Sequence, residues 1–353
     1  MERKRQPPRV RMMLPNRRVF ELRANSAPTI APPENATGAS LELVCPFPTT
    51  CHPTVQALHE STCRWAARVH PEAGNVDQRF TWLSAQMVPA AERVLAELLA
   101  DFTSWLFWHD DMCDEGPLSA NPVELRRALD QELLILQGGP ARPDLPLERA
   151  LHDLRARFVQ LSPDPSWMVR FVADMADYFD GCVWEAENRS DGRVPRLSEY
   201  VPARRSVGAI WVYLGFIELT LHTSMPLAMR RNSECLLVRQ LACDVVAWHN
   251  DLFSLRKEEA LGDVHNITTI VMREYGLQKP DAARFVVARS NAAIYEIQAL
   301  LSRMDLPLRA DAYFRRFSEA LKVFIRGAAD WAAKTSRYAD ESPNATESAA
   351  LSE

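Results

Sequence analysis

Residues 88–115, VPAAERVLAELLADFTSWLFWHDDMCDE, decide the fold class of this chain. Apolar side chains recur there at intervals of 3, 4, 3, 4 and 3 residues, at Val88, Ala91, Leu95, Leu98, Phe102 and Trp105. This spacing is typical of the buried face of an α-helix, whereas a half-buried strand would alternate at every second residue. The stretch therefore predicts a long helix, with four acidic residues at its C-terminal end.

The same periodicity continues through most of the chain. It covers residues 146–162, 165–187, 197–224, 233–259, 264–275, 280–304 and 308–337, which are separated by short polar or proline-containing turns. No β-rich segment competes with these helices. The sequence therefore predicts an all-α, single-domain bundle of about ten helices, with ligand sites between facing helices.

The two ends of the chain differ from this domain. Residues 1–45 are rich in Pro and Arg and lack apolar periodicity, so we expect a disordered tail. An organelle address is the alternative for its Arg-rich start. Residues 341–353 are expected to form a second flexible tail, which leaves residues 46–340 as one catalytic domain.

Composition excludes several classes of partner. A net charge of −5 and a pI of about 6.0 give no basic surface for nucleic acid. There is no apolar run of about 18 residues, so we expect no membrane span. Seven scattered cysteines, an odd number, suit the reduced thiols of a cytoplasmic protein. We expect a cytoplasmic monomer or homodimer.

The acidic end of the first helix is the first candidate site. Asp110 and Asp114 are four residues apart and share a helix face, which carries Leu106 and Phe107 one turn earlier. Clustered negative charge is unfavourable at a helix C-terminus, where the helix dipole is also negative, so a cation is expected there. A solvated acidic helix end is the alternative.

A second polar stripe lies 140 positions later, in WHNDLFSLRKEE. Asn250, Ser254 and Glu258 recur at i, i+4 and i+8 and so lie on one helix face. Oxygen ligands of mixed charge suit a hard cation such as Mg²⁺, which completes its octahedron with water and substrate phosphate. Two such motifs across a cleft would hold a diphosphate through metal ions.

These motifs resemble those of a known enzyme family. DDMCDE at 110–115 and NDLFSLRKE at 250–258 resemble the aspartate-rich motif and the NSE triad (N-D-x-x-S-x-x-x-E) of class I terpene synthases, particularly the bacterial type. Arg204, 46 positions before the triad, and the Arg337-Tyr338 pair in TSRY also fit that family. The likeness runs from about residue 45 to residue 340 and includes WEAENRSDGRVPRLSEYVPARRSVGA at 184–209. It implies a helical bundle of the class I terpenoid synthase type around a central active-site cavity.

The resemblance also implies roles for individual residues. Three Mg²⁺ ions are expected in the closed complex, with Mn²⁺ as a substitute, and their ligands would be Asp110, Asp114, Asn250, Ser254 and Glu258. Asp114 is the weaker candidate among these ligands. Asp111 would pair with Arg337 when the site closes. The substrate diphosphate would be bound by Arg204, Lys257, Arg337 and Tyr338, since anionic oxygens favour Arg and Lys partners.

Several of these assignments have alternatives. Arg205 is the rival to Arg204, and spacing alone favours Arg204. Gly208, preceded by Val207, aligns with the position whose backbone carbonyl faces the carbocation, although a glycine there would also allow close helix packing. The aromatic side chains beside the motifs, Phe107 and Trp331, either stabilise a cation or pack in the core. The two histidines, His109 and His249, are expected to pack in the core or to orient neighbouring groups.

The implied function is ionisation of a linear prenyl diphosphate with Mg²⁺ and cyclisation of the carbocation, with inorganic diphosphate as a product. Farnesyl diphosphate is the expected substrate, which makes the chain a sesquiterpene cyclase, a lyase of isoprenoid biosynthesis that yields a hydrocarbon or an alcohol. Geranyl and geranylgeranyl diphosphates are the alternative substrates. A chain-elongating prenyltransferase would have a second DDxxD segment, and a class II cyclase would have DxDD. A non-catalytic helical binding protein is the remaining alternative.

Overall fold

The computed structural model describes residues 42–73, 79–304 and 311–338, and these ranges contain helices and no strands. The all-α prediction is therefore confirmed. The helices are α1 (Val55–Val69), α2 (Phe80–Met87), α3 (Arg93–Asp114), α4 (Pro122–Leu136), α5 (Pro146–Leu161), α6 (Pro165–Ser190), α7 (Leu197–Val207), α8 (Ile210–Thr220), α9 (Leu227–Arg231), α10 (Ser233–Leu261), α11 (Ile267–Tyr275), α12 (Lys279–Arg303) and α13 (Ala312–Ala332), followed by a short 3₁₀ helix, Ser336–Tyr338.

The expected tails at 1–45 and 341–353 lie mostly or wholly outside the described residues. The domain boundaries therefore stay predictions. None of the helices in the described ranges is long and apolar enough to cross a lipid bilayer.

Helix α3 connects the core to the polar end of the bundle. Phe102, in its middle, is fully buried and contacts the rings of Phe158, Phe171 and Phe216 at centroid distances of 5.5, 5.9 and 5.2 Å. Asp110 lies two turns further along, about 12 Å from Phe102 at 1.5 Å per residue. One helix thus carries both a wall of the core and the acidic end.

The described ranges contain thirteen α-helices, more than the ten or so expected, and the segment expected over 308–337 is α13 and the separate 3₁₀ helix. Two further boundaries were also wrong. The apolar stripe was expected to start at Val88, but α3 starts at Arg93, and Val88 caps the preceding helix α2. The single helix expected over 197–224 is two helices, α7 and α8. The break lies at Gly208 and Ala209, and Ala209 has a left-handed backbone with φ of 50°. A left-handed residue cannot continue a right-handed helix, so the chain changes direction there.

Candidate active site

A cavity of about 470 Å³ opens among α3, α6, α7, α8, α10, α13 and the C-terminal 3₁₀ helix. Its wall contains twelve of the predicted site residues: Phe107, Asp110, Asp114, Arg204, Gly208, Asn250, Ser254, Lys257, Glu258, Trp331, Arg337 and Tyr338. Asp111 is not part of the wall but contacts Arg337, which is. Residues from distant parts of the sequence thus meet at one place.

Arg337 of the 3₁₀ helix binds the acidic end of α3. Its Nη2 lies 2.6 Å from Oδ1 of Asp111 and 3.3 Å from Oδ2 of Asp110. The guanidinium also faces the ring of Phe107, 4.9 Å from the centroid. The resemblance implied a pairing of Asp111 with Arg337 in the closed site; here the two side chains are in contact, and Arg337 places a cation against the acidic cluster.

Asp114 has a different partner. Its Oδ1 accepts a hydrogen bond from Nη2 of Arg189 on α6 at 2.8 Å, and the same nitrogen lies 2.8 Å from Asp263 and 3.4 Å from Glu185. Asp114 lines the cavity, yet its carboxylate is already held by an arginine. It would bind a metal ion only by sharing or losing that contact.

The second polar stripe lies on α10. Asn250 Oδ1 accepts a hydrogen bond from Arg204 Nη2 at 2.8 Å, and its Nδ2 donates to the Tyr338 hydroxyl at 2.6 Å. Glu258 Oε2 accepts from Asn266 Nδ2 at 2.7 Å. A carbonyl or carboxylate oxygen has a second lone pair, so these contacts leave acceptor capacity for a cation.

The two neighbouring arginines of α7 point to different places. Arg204 reaches Asp251 Oδ1 with Nε at 2.9 Å and lines the cavity. Arg205 turns into the core, where its Nε and Nη2 lie 2.6 and 2.7 Å from the carboxylate of Asp244. Consecutive helical residues point about 100° apart, so only one of the pair can face the cavity.

Lys257 connects the polar stripe of α10 to the acidic end of α3. Its Nζ lies 2.6 Å from Oε1 of Glu115 and 3.9 Å from Oδ1 of Asp111. Since Lys257 belongs to α10 and the carboxylates to the end of α3, this contact spans the mouth of the cavity. A phosphate group entering there would meet the ammonium group directly.

The pKa values of three carboxylates at the site, Asp110, Asp114 and Glu258, are raised. Asp110 lines the cavity, and desolvation raises its pKa although the charge of Arg337 lowers it. Burial, followed by the charge of Asp110, raises the pKa of Asp114 to about 6. Burial and the nearby Asp251 raise the pKa of Glu258 to about 8. The basic groups present therefore do not offset the full cost of these negative charges.

The donor set fits a hard divalent cation. All candidate ligand atoms are carboxylate, amide or hydroxyl oxygens, which Mg²⁺ and similar ions prefer. An added cation would also favour the ionised forms of Asp110 and Glu258, whose pKa values are raised. The residues that surround the cavity mouth thus fit the metal that the motifs imply.

The helix break contributes backbone to the cavity wall. Val207, Gly208 and Ala209 all line the cavity between α7 and α8. Gly208 has φ of −71° and needs no glycine for that angle, whereas Ala209 adopts the left-handed conformation. A left-handed non-glycine residue costs about 1–2 kcal/mol, and such strain is common at functional sites.

The cavity wall also includes apolar and aromatic side chains. Phe107 stacks on Phe80 at 4.2 Å between centroids and lies 5.2 Å from Trp331. Trp331 is anchored by a hydrogen bond from Nε1 to the Arg79 carbonyl at 2.8 Å. A cavity with a polar mouth and such a wall can hold a diphosphate at one end and a hydrocarbon chain at the other.

The two histidines are outside the cavity wall. Nδ1 of His109 lies 2.9 Å from the Tyr178 hydroxyl and Nε2 lies 2.9 Å from Glu132. Nε2 of His249 lies 2.8 Å from Ser290 Oγ. Both are buried, which agrees with the packing or orienting function expected for them.

Three residues that contribute to the site were not predicted from the sequence. Arg189 and Asp263 line the cavity and join α6 to the loop after α10, while the buried Asp251 holds Arg204. Asp251 was within the quoted motif and its charge beside Asn250 was a usable signal. Arg189 and Asp263 are 74 positions apart, and no local pattern in the sequence links them.

Comparisons with known proteins agree with this geometry. Residues 101–296 match the family described as terpene synthase family 2, C-terminal metal binding. The chain is 31% identical over 301 residues to (+)-eremophilene synthase of Sorangium cellulosum, covering 83% of this chain and 91% of that protein. It is 29% identical over 306 residues to the (2E,6E)-farnesyl diphosphate cyclizing (+)-T-muurolol synthase of Roseiflexus castenholzii, covering 84% and 93%.

A solved structure shares the fold. The crystal structure of germacradien-4-ol synthase from Streptomyces citricolor superimposes with a TM-score of 0.72 at 23% identity, covering 84% of this chain and 99% of that one. The residues that match the family model make up more than half of the chain and include both oxygen-rich motifs. The chain therefore belongs to the terpene synthase family, as an enzyme with the class I all-α fold and a divalent-metal-binding domain.

Proposed function

We propose that this enzyme converts farnesyl diphosphate into a cyclic sesquiterpene, a hydrocarbon or an alcohol, and releases inorganic diphosphate. The observation that carries the proposal is a single cavity whose wall combines oxygen ligands and basic groups with apolar and aromatic side chains. The relative from Roseiflexus castenholzii, which is described as cyclizing farnesyl diphosphate, supports this choice of substrate.

At the mouth, the chain's own residues would bind the leaving group. Arg204, Lys257, Arg337 and Tyr338 would donate hydrogen bonds to diphosphate oxygens, and their positions in the wall of one cavity support these roles. Asp110 on α3 and Asn250, Ser254 and Glu258 on α10 would hold Mg²⁺, with three ions in the closed complex and Mn²⁺ as a substitute. Asp114 would join them only if Arg189 releases it. When bound, the metal would neutralise negative charge on the departing diphosphate.

In the interior, the chain would shelter the allylic cation. The C–O bond breaks with both electrons going to the diphosphate oxygen, so positive charge remains on the hydrocarbon. Phe107 and Trp331 offer aromatic faces that attract a cation without reacting with it. Phe107 already contacts one cation, the Arg337 guanidinium, 4.9 Å from the centroid of its ring. Exclusion of water by the closed mouth prevents early quenching.

The direct test is incubation with geranyl, farnesyl and geranylgeranyl diphosphates and Mg²⁺. Volatile products are identified by mass spectrometry and diphosphate release is measured in parallel. We expect cyclic C15 products and release from farnesyl diphosphate, both abolished by excess chelator. Faster turnover of geranyl or geranylgeranyl diphosphate, the C10 and C20 substrates, would show that the enzyme is not a sesquiterpene synthase. Absence of release from all three would favour a non-catalytic binding protein, and full activity in chelator would refute the metal assignment.

A further inference from the structure

Helix α6 presents a stripe of residues to the cavity, and one of them has no side chain. Tyr178, Glu185 and Asn188 line the cavity, and Gly181 lies between them at the same helical spacing. Residues with spacings of three and four share one face of a helix. Gly181 therefore lies on the face of α6 that is turned toward the cavity, but it is buried and does not line the cavity itself.

Val207, the last residue of α7, fills the space in front of Gly181. A Cβ atom at position 181 would lie 2.6 Å from Cγ2 of Val207, 3.1 Å from its backbone nitrogen and 3.3 Å from its Cα. Carbon atoms pack at about 3.5–4.0 Å, so a methyl group at 181 would displace the Val207 methyl by roughly 1 Å. The severe contact is the one with Cγ2, whereas the two backbone contacts would need shifts of only a few tenths of an ångström.

Movement of Val207 would change the cavity. Val207, Gly208 and Ala209 form the helix break and line the cavity as consecutive residues. Val207 is only 6% exposed, and the end of α7 packs against α6 on one side and the cavity on the other. A push from α6 would therefore move the break into the cavity.

We propose that Gly181 is a specificity-determining positioning residue: by having no side chain, it lets the break at Val207–Ala209 lie against α6, and this sets the cavity's shape beside the reacting chain. The inference rests on the proposed cyclase function. Gly181 itself does not contact the substrate space. Because it acts through Val207, a substitution at this position should change the ratio of products more than the rate of diphosphate release.

The test compares Gly181→Ala with Gly215→Ala. Gly215 is a half-buried glycine in α8, where a Cβ would meet only Trp167 Nε1, at an ordinary 3.9 Å. With farnesyl diphosphate and Mg²⁺, we expect Gly181→Ala to change the ratio of products by about threefold to tenfold, since displacements near 1 Å have large effects on reaction geometry. Diphosphate release should change less, and Gly215→Ala should keep the wild-type product ratio.

A double variant isolates the contact with Val207. Val207→Ala removes Cγ2, the closest atom, so the further effect of Gly181→Ala should be at least halved in that background. If Gly181→Ala fails to fold, recovery of a folded enzyme in the double variant would support the contact, and continued failure would overturn it. An unchanged product ratio in folded Gly181→Ala, an equal change in Gly215→Ala, or the same effect with and without Val207 would each overturn the inference. No release by the wild type would instead refute the proposed function.

Discussion

At the scale of single residues, two adjacent arginines of α7 have different partners, so substitutions of Arg204 and Arg205 should affect different properties of the enzyme. Arg204→Lys keeps the charge but loses the forked contact with Asn250 and Asp251. We expect turnover to fall by about tenfold to a hundredfold, since each 1.36 kcal/mol of lost transition-state stabilisation is tenfold in rate. Steady-state diphosphate release measures this.

Arg205→Lys is the matched control, because it changes the neighbouring residue in the same way. Its buried pair with Asp244 lies away from the cavity, so we expect a loss of about 1–3 kcal/mol in the free energy of unfolding with turnover per folded molecule near that of the wild type. Equal losses of turnover in the two variants would contradict the assignment of Arg204 to the diphosphate.

The two cavity aromatics give a second prediction at this scale. If Phe107 and Trp331 stabilise cations by roughly 1–2 kcal/mol, replacing either with Leu should change the balance among products by about tenfold. Early-quenched acyclic or monocyclic products should appear. Phe107→Leu should also slow diphosphate release, because Arg337 packs on that ring, whereas Trp331→Leu should affect it less. Mass spectrometry and a release assay separate the two effects.

Phe317→Leu is the control for this prediction. Phe317 is buried on α13, the helix of Trp331, but does not line the cavity. It should lower stability without changing the products. Should the cavity variants likewise keep the wild-type product profile and lose only activity, Phe107 and Trp331 would be ordinary packing residues.

At the scale of helices, Arg189 joins three parts of the bundle. Its guanidinium contacts Asp114 at the end of α3, Glu185 on α6 and Asp263 in the loop after α10. Arg189→Met would leave these enclosed carboxylates without their cation, which typically costs about 3–5 kcal/mol. We therefore expect a large drop in the free energy of unfolding, measured by urea titration.

Arg126→Met offers the comparison for Arg189. Arg126 also pairs between helices, with Asp180 of α6, but its side chain is 38% exposed and that of its partner is 49% exposed. Exposed pairs contribute about 0–1 kcal/mol, so this variant should be nearly as stable as the wild type. Similar losses in both variants would show that Arg189 has no special function in connecting the helices.

Helices also show what the sequence could and could not predict. The long amphipathic segments were predictable because burial of one face imposes a repeat of 3.6 residues. The break within 197–224 was not, because it depends on Ala209, a residue with no local preference for a left-handed backbone. The oxygen stripe of α10 was likewise predictable from its own spacing. Contacts such as Arg189 with Asp263 require the tertiary fold, which brings distant segments together.

At the scale of the whole molecule, ligand binding should stabilise the fold only when metal and diphosphate are present together. The candidate donors come from α3, α7, α10 and the C-terminal 3₁₀ helix, and each element supplies too few oxygens or cations to hold either ligand alone. Diphosphate can connect them because it carries several oxygens, while Mg²⁺ needs about six. The two ligands should therefore bind cooperatively, and their binding should hold four separate elements in one arrangement.

Thermal unfolding with Mg²⁺, with inorganic diphosphate and with both measures this directly. At 100 times the dissociation constant, binding to the folded state adds about 2.7 kcal/mol of stability. We expect a clear rise in Tm with both ligands together and little rise with either one alone. In Asp110→Asn, the rise with both ligands should be lost. Asp180→Asn, which removes an exposed carboxylate of α6, should keep it. An equal rise with Mg²⁺ alone, or an undiminished rise in Asp110→Asn, would mean that the metal binds elsewhere and that the acidic end of α3 serves only to anchor Arg337.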